Sequence, residues 1–154
     1  MKTRFALVGL MLCCPGPAAA LQSEADRDAI KRAALDYAEG YYEGDAARME
    51  RAVHPELAKR IVRRDQRGAS HVDHMGAMAL VQIVRRGAGR KVPPDERVRD
   101  VTILDAMENS ASVKLVMRDW VDYLHVGKVD GRWVIINVLW EMKPKPPDTH
   151  NRTR

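Results

Sequence analysis

The chain has 154 residues, of which 26 are Lys or Arg and 21 are Asp or Glu, for a formal net charge of +5. That length suits one domain closing a single core without metals or disulfides, and the modest charge excess falls short of the strongly basic balance of a nucleic-acid binder. Both cysteines, Cys13 and Cys14, lie near the N-terminus, so the remainder offers neither a disulfide nor thiolate chemistry.

Residues 1–20 read as a cleaved secretory signal peptide. Lys2 and Arg4 form a basic start, Phe5 to Cys14 an apolar run, Pro15-Gly16-Pro17 a breaker and Ala18-Ala19-Ala20 a small-residue cleavage site. The apolar run is about half the roughly 20 residues needed to cross a bilayer, so the segment exports the chain and leaves no stable membrane anchor. Lipid attachment at Cys13 or Cys14 is disfavoured by the large residue before each, Leu12 or Cys13. Cleavage removes two bases and no acid, so +5 falls to +3. The product is a thiol-free domain over 21–142 with a loose tail over 143–154, expected in a periplasmic or secreted setting.

Ser23 and Asp26 give a capping-box-like start, after which Ile30, Ala34, Tyr37 and Tyr41 recur at helical spacing up to Gly44. Asp45 caps a short second helix over Ala46 to Ala52, which His54-Pro55 ends. Leu57 to Asp65 is expected as a short strand. Ser70 and Asp73 repeat the capping signal and predict a third helix through Val84, followed by a loop around Pro93-Pro94. Strands are expected over Val98 to Met107, Ala111 to Val129 and Arg132 to Met142, the last two joined by an Asp130-Gly131 hairpin turn.

That turn sets Val129 opposite Arg132 and keeps opposed numbers summing to 261 unless a bulge intervenes. One face then carries Val113, Leu115, Met117, Asp119, Val121 and Tyr123 with Val134, Val138 and Trp140. The other carries Trp120, Asp122 and Leu124 with Trp133, Ile135 and Leu139. A bulge exchanges the roles of Asp119 and Asp122. Both faces hold large apolar residues, whereas one domain's helices cover one face only, so a second copy is expected on the other, as a homodimer.

Tyr41-Tyr42-Glu43-Gly44-Asp45, His54-Pro55-Glu56-Leu57, Trp120-Val121-Asp122-Tyr123-Leu124-His125-Val126, Asp130-Gly131-Arg132-Trp133 and Ile136-Asn137-Val138-Leu139-Trp140 together resemble the NTF2-like (SnoaL-like) superfamily, in its lumazine-binding-like branch, over about residues 25–142. The resemblance implies an α+β cone, with a long N-terminal helix and two shorter helices packed on a curved, mainly antiparallel sheet. It implies a small-molecule pocket inside that cone.

A ketosteroid isomerase-like member needs an acidic base early in the first strand and a Tyr donor on the first helix. Tyr37 or Tyr41 supplies the donor, but the strand offers Lys59, Arg60, Ile61 and Arg63 where the acid belongs, which counts against such an enzyme. Asp119 is either a base on an apolar face or a structural partner of an arginine such as Arg99. Asp122 is expected in a polar pair with Asn137 at the dimer contact. His54 is either an acid or base aimed into the cone or a cap bonding a backbone carbonyl. His71 and His74 share a helix-start spacing without an acidic or cysteine partner, so no metal site is assigned.

Tyr37, Tyr41, His54, Asp119, Tyr123 and Trp140 are the candidate ligand-binding residues for an apolar or heteroaromatic molecule. The basic residues Lys59, Arg60, Arg63, Arg64 and Arg67 balance an acidic first helix. No cofactor motif is present. The leading reading is an exported ligand-binding domain without strong catalysis. The alternatives are a cyclase, isomerase or dehydratase using Asp119 or His54 with Tyr41, and a structural dimerisation module.

Overall fold

The computed structural model describes residues 23–144, so the leader and most of the tail lie outside the described residues. Helix α1 (Glu24–Glu43) starts where the Ser23 hydroxyl accepts from the Asp26 N–H and stops at Gly44 in the left-handed region, φ 66°. Helix α2 (Ala46–Ala52) starts with the Asp45 side chain accepting from the Arg48 N–H. Arg48 then binds Asp36, Glu39 and Glu43 of α1, fixing the corner between the two helices.

Strand β1 (Val53–Arg64) begins directly after α2, with Pro55 inside a register irregularity between Val53 and Ala58. The helix expected from Ser70 is not formed. Residues 70–76 are instead strand β2 (Ser70–Gly76), antiparallel to β1, and helix α3 starts only at Ala77 and runs to Arg85. The competing signal is the turn before it. The Asp65 carboxylate accepts from the N–H groups of Arg67 and Ala69, and Gly68 takes φ 84°, which folds the chain into a hairpin. In a strand, His71 and His74 point to opposite faces. Among the described residues no group of three or more His, Cys, Asp or Glu could hold a metal ion.

Short 3-10 turns at Ala88–Lys91 and Pro94–Glu96 lead to β3 (Arg99–Ala106). The single strand expected over Ala111 to Val129 is two, β4 (Ser110–Met117) and β5 (Trp120–Val129), joined at Arg118-Asp119. Distant groups hold this turn: the Tyr42 hydroxyl accepts from the Arg118 N–H, and Lys143 Nζ donates to the carbonyls of Met117 and Arg118. Strand β6 (Arg132–Met142) completes a six-stranded sheet of order β2-β1-β6-β5-β4-β3, antiparallel except for the β1–β6 pair.

The hairpin turn is as expected, with Asp130 at φ 49° and Gly131 at φ 75°, and pairs from Val129–Arg132 to Val126–Ile135 sum to 261. A bulge at Ile136 then moves the register: His125 faces Asn137 and Asp122 faces Trp140. The bulge and the Arg118-Asp119 turn change which residues face inward. The inner face carries Val113, Leu115, Met117, Leu124, Val126, Ile135 and Val138, which share one buried core with Ile30, Ala34, Tyr37 and Ala38 of α1, and the buried Asp122. Tyr123 and Leu139 oppose each other on the outer face, 46% and 54% exposed.

Candidate functional site

A cavity of about 700 Å³ lies where α1, α3 and the end of β2 meet the inner face of β1, β6 and β5. Helical periodicity brings Tyr37 and Tyr41 to it from α1, and strand alternation brings Lys59 from β1, Trp120 from β5 and Trp140 from β6. Met75, Leu80 and Ile83 close the side toward α3, while Arg118, Asp119 and Lys143 stand at the rim. The aromatic wall is continuous: Tyr41 meets Trp120 edge-on at 5.1 Å between centroids, and Trp120 meets Trp140 at 6.1 Å.

The floor is polar. Lys59, 6% exposed, crosses the face of β6 and donates to Asp122 Oδ1 at 2.5 Å and to Tyr37 Oη at 2.8 Å, with its ammonium 4.7 Å from the Trp140 ring centroid. Asp122 is fully buried behind it, its second oxygen accepting from Trp120 Nε1 at 2.8 Å. Desolvation pulls the Lys59 ammonium below its ordinary pKa and raises the Asp122 carboxyl, while attraction between the two opposes both shifts. Burial also raises the Tyr37 phenol well above its usual value, so it is a neutral donor.

The hydrogen-bond inventory of this floor is one-sided. Lys59 has three N–H donors and, among the described residues, two hydrogen-bond acceptors. Tyr37 Oη accepts from Lys59, and among the described residues its own proton has no protein acceptor. The cavity therefore meets two donors, whereas the acceptor that balances the charge, Asp122, lies behind them and does not line it.

Of the sequence candidates, Tyr37, Tyr41, Asp119 and Trp140 line this cavity. Asp119 is at the mouth, its carboxylate half exposed and 3.8 Å from Arg118 Nε, not in the middle of an apolar face. Tyr123 is excluded, because the β4–β5 turn sets it opposite Lys114 on the outer face, while Asp122 and Leu124 face inward with Leu115 and Val113. His54 lines a separate groove of about 480 Å³ with Glu50, Met78, Asp130 and Arg132, and its Nδ1 accepts from the Glu56 N–H rather than bonding a carbonyl. Asp122 belongs to the inner face and to Lys59, not to an outer pair with Asn137.

Lys59, Asp122 and Trp120 are the site residues that sequence reasoning did not assign. Their signal was present in part: one lysine at an inward position of β1 needs a buried acid, and Asp122 is the acid among the apolar residues of β5.

Residues 25–141 match the family described as "Putative lumazine-binding". Among solved structures, an NTF2-like protein of unknown function from Methylobacillus flagellatus is similar over 84% of this chain and 100% of its own, with TM-score 0.60 and 17% identity. One of the same description from Shewanella baltica covers 79% of this chain and 96% of its own, at 0.58 and 16%. A protein of unknown function with a cystatin-like fold from Nostoc punctiforme covers 81% and 96%, at 0.53 and 14%. Comparison with curated proteins gives no match. At these identities the structures show the fold, which is the cone of three helices on an open, mostly antiparallel sheet.

Proposed function

The chain belongs to the lumazine-binding-type family of NTF2-like proteins, and from that membership we propose that it is an exported small-molecule-binding domain whose cavity holds a flat, uncharged heterocycle by a carbonyl end. The observation that carries this reading is the donor-only floor under aromatic walls. The Lys59 charge is matched by Asp122, so a ligand carboxylate gains little there, whereas a neutral carbonyl oxygen needs only the free N–H of Lys59 and the O–H of Tyr37. Tyr41, Trp120 and Trp140 suit the faces and edges of a planar ring. Lumazine, a pteridinedione, belongs to this ligand class.

The leader read in residues 1–20 supports export to an envelope or extracellular compartment. Val62, Val72, Tyr123 and Leu139 on the outer face support a homodimer in which a second copy covers that face. A reading of turnover, with Tyr41 as donor and Asp119 or His54 as base, has less support, since Asp119 stands at the mouth and His54 faces another groove.

Native mass spectrometry of protein isolated from the compartment it is exported to tests the reading. A retained heterocycle that is present at lower occupancy in Tyr37→Phe is the expected result. Ligand-free protein, with no thermal shift across lumazine and related heterocycles, contradicts it.

A further inference from the structure

We propose that Lys59 captures aldehyde and ketone ligands covalently, forming an imine at the floor of the cavity. The inference rests on the reading that the cavity binds carbonyl compounds and adds a bond to it. Three features carry it. The amine sits at the inner end of a cavity that is otherwise mostly apolar, with one N–H that has no hydrogen-bond acceptor among the described residues. A carboxylate in contact with that amine can hold its proton. The Tyr37 hydroxyl, 2.8 Å from the amine, has its own proton free to engage the carbonyl oxygen that the amine would attack.

Each step balances. The ammonium passes one proton to Asp122, leaving a neutral amine beside a carboxylic acid. Burial already moves both groups toward that form. The nitrogen lone pair attacks the carbonyl carbon, the C–N bond forms and the carbonyl π pair moves onto oxygen, which is held by the Tyr37 hydroxyl. One proton moves from nitrogen to that oxygen, giving a neutral carbinolamine. The Tyr37 hydroxyl passes its proton to the departing hydroxyl, the C–O bond breaks, water leaves and the nitrogen lone pair closes the C=N bond, while the Asp122 proton, relayed by that water, restores the Tyr37 hydroxyl. The net change is one carbonyl and one ammonium to one protonated imine and water, with no oxidant or reductant. The Asp122 carboxylate ends beside the iminium, as it began beside the ammonium.

The experiment uses 2-naphthaldehyde with borohydride trapping, followed by peptide mass mapping. Quenching of tryptophan fluorescence reports occupancy separately, since Trp120 and Trp140 line the cavity. The expected result is a reduced naphthylmethyl adduct on Lys59, formed on the order of tenfold faster than on any surface lysine and suppressed by excess lumazine. Asp122→Asn should slow the adduct while leaving quenching in place. Because Lys59→Met leaves Asp122 buried without its partner, Lys59→Met/Asp122→Asn serves as the folded control, and it should quench without labelling. Quenching of wild type with no adduct, or adducts on surface lysines alone, overturns the imine while the binding reading stands. Absence of quenching by naphthaldehyde and by lumazine removes both.

Discussion

Lys59 and Asp122 stand 63 residues apart in sequence and on strands separated by β6, yet the lysine amine reaches across that strand to the carboxylate at 2.5 Å. Neither group has solvent to fall back on, since Lys59 is 6% and Asp122 0% exposed. Each is the condition for burying the other.

Removing one partner should therefore cost more than removing the charge of both. Lys59→Met is expected to lose about 3–5 kcal/mol in urea denaturation, because it strands a buried carboxylate. Lys59→Met/Asp122→Asn should recover most of that loss, as the Asn oxygen still accepts from Trp120 Nε1 and no unpaired charge remains. Equal losses in the single and double variants would show that the pair is not coupled.

Asp26 gives a pH signature at the opposite end of the sheet. Its carboxylate accepts from Trp133 Nε1 at 2.7 Å and Lys128 Nζ at 2.9 Å, tying the start of α1 to the β5–β6 hairpin. The Trp133 bond, then the Lys128 and Ser23 bonds, hold its pKa at about 2, below the ordinary 3.8. A carboxyl depressed by folding contributes stability that is fully present above its unfolded value and is lost as pH falls through its folded one. The loss should fall between about pH 4 and pH 2, and Asp26→Asn should flatten the acid limb of a thermal-unfolding series there. An unchanged limb would contradict the assignment.

Local chemistry made part of this fold legible in the sequence. The caps at Ser23 and Asp45, the stop at Gly44 and the Asp130-Gly131 turn each act within a few residues, and each is where the sequence places it. What was not legible is decided at long range. The Arg118-Asp119 turn contains no Gly or Pro and is held by Tyr42 and Lys143, and the bulge at Ile136 has no local signal in the residues around it. The turn sets Asp122 inward and Tyr123 outward, and the bulge brings Trp140 opposite Asp122 and Leu139 opposite Tyr123. The inner site was thus half readable: the helix-borne Tyr37 and Tyr41 and strand-borne Trp140 followed from spacing, whereas Lys59, Asp122 and Trp120 required the register.

Backbone contact behind Tyr41 offers a test of how the cavity wall is held. A Cβ built on Gly89 would lie 2.2 Å from the Tyr41 carbonyl oxygen, against backbone that a rotamer change cannot move aside. Gly89→Ala should cost about 1–3 kcal/mol and weaken heterocycle binding by displacing the α1 wall. A variant of unchanged stability and affinity would show that the 3-10 turn shifts freely.

On the outer face, Leu139 opposes Tyr123 on β5 and Arg60 on β1 and is 54% exposed. If a second copy covers this face, Leu139→Glu should convert a dimer to a monomer in sedimentation velocity without lowering the unfolding cooperativity of each subunit. A wild-type protein that sediments as a monomer at micromolar concentration would remove the dimer proposal.

The most direct test of the central claim is a calorimetric titration with lumazine of wild type and of Tyr37→Phe, a change that deletes one floor donor and leaves the ring. The account predicts saturable binding to wild type and an affinity weaker by about 1–2 kcal/mol in the variant, at equal stoichiometry. Binding of equal strength in both proteins, or no heat with either, would contradict it.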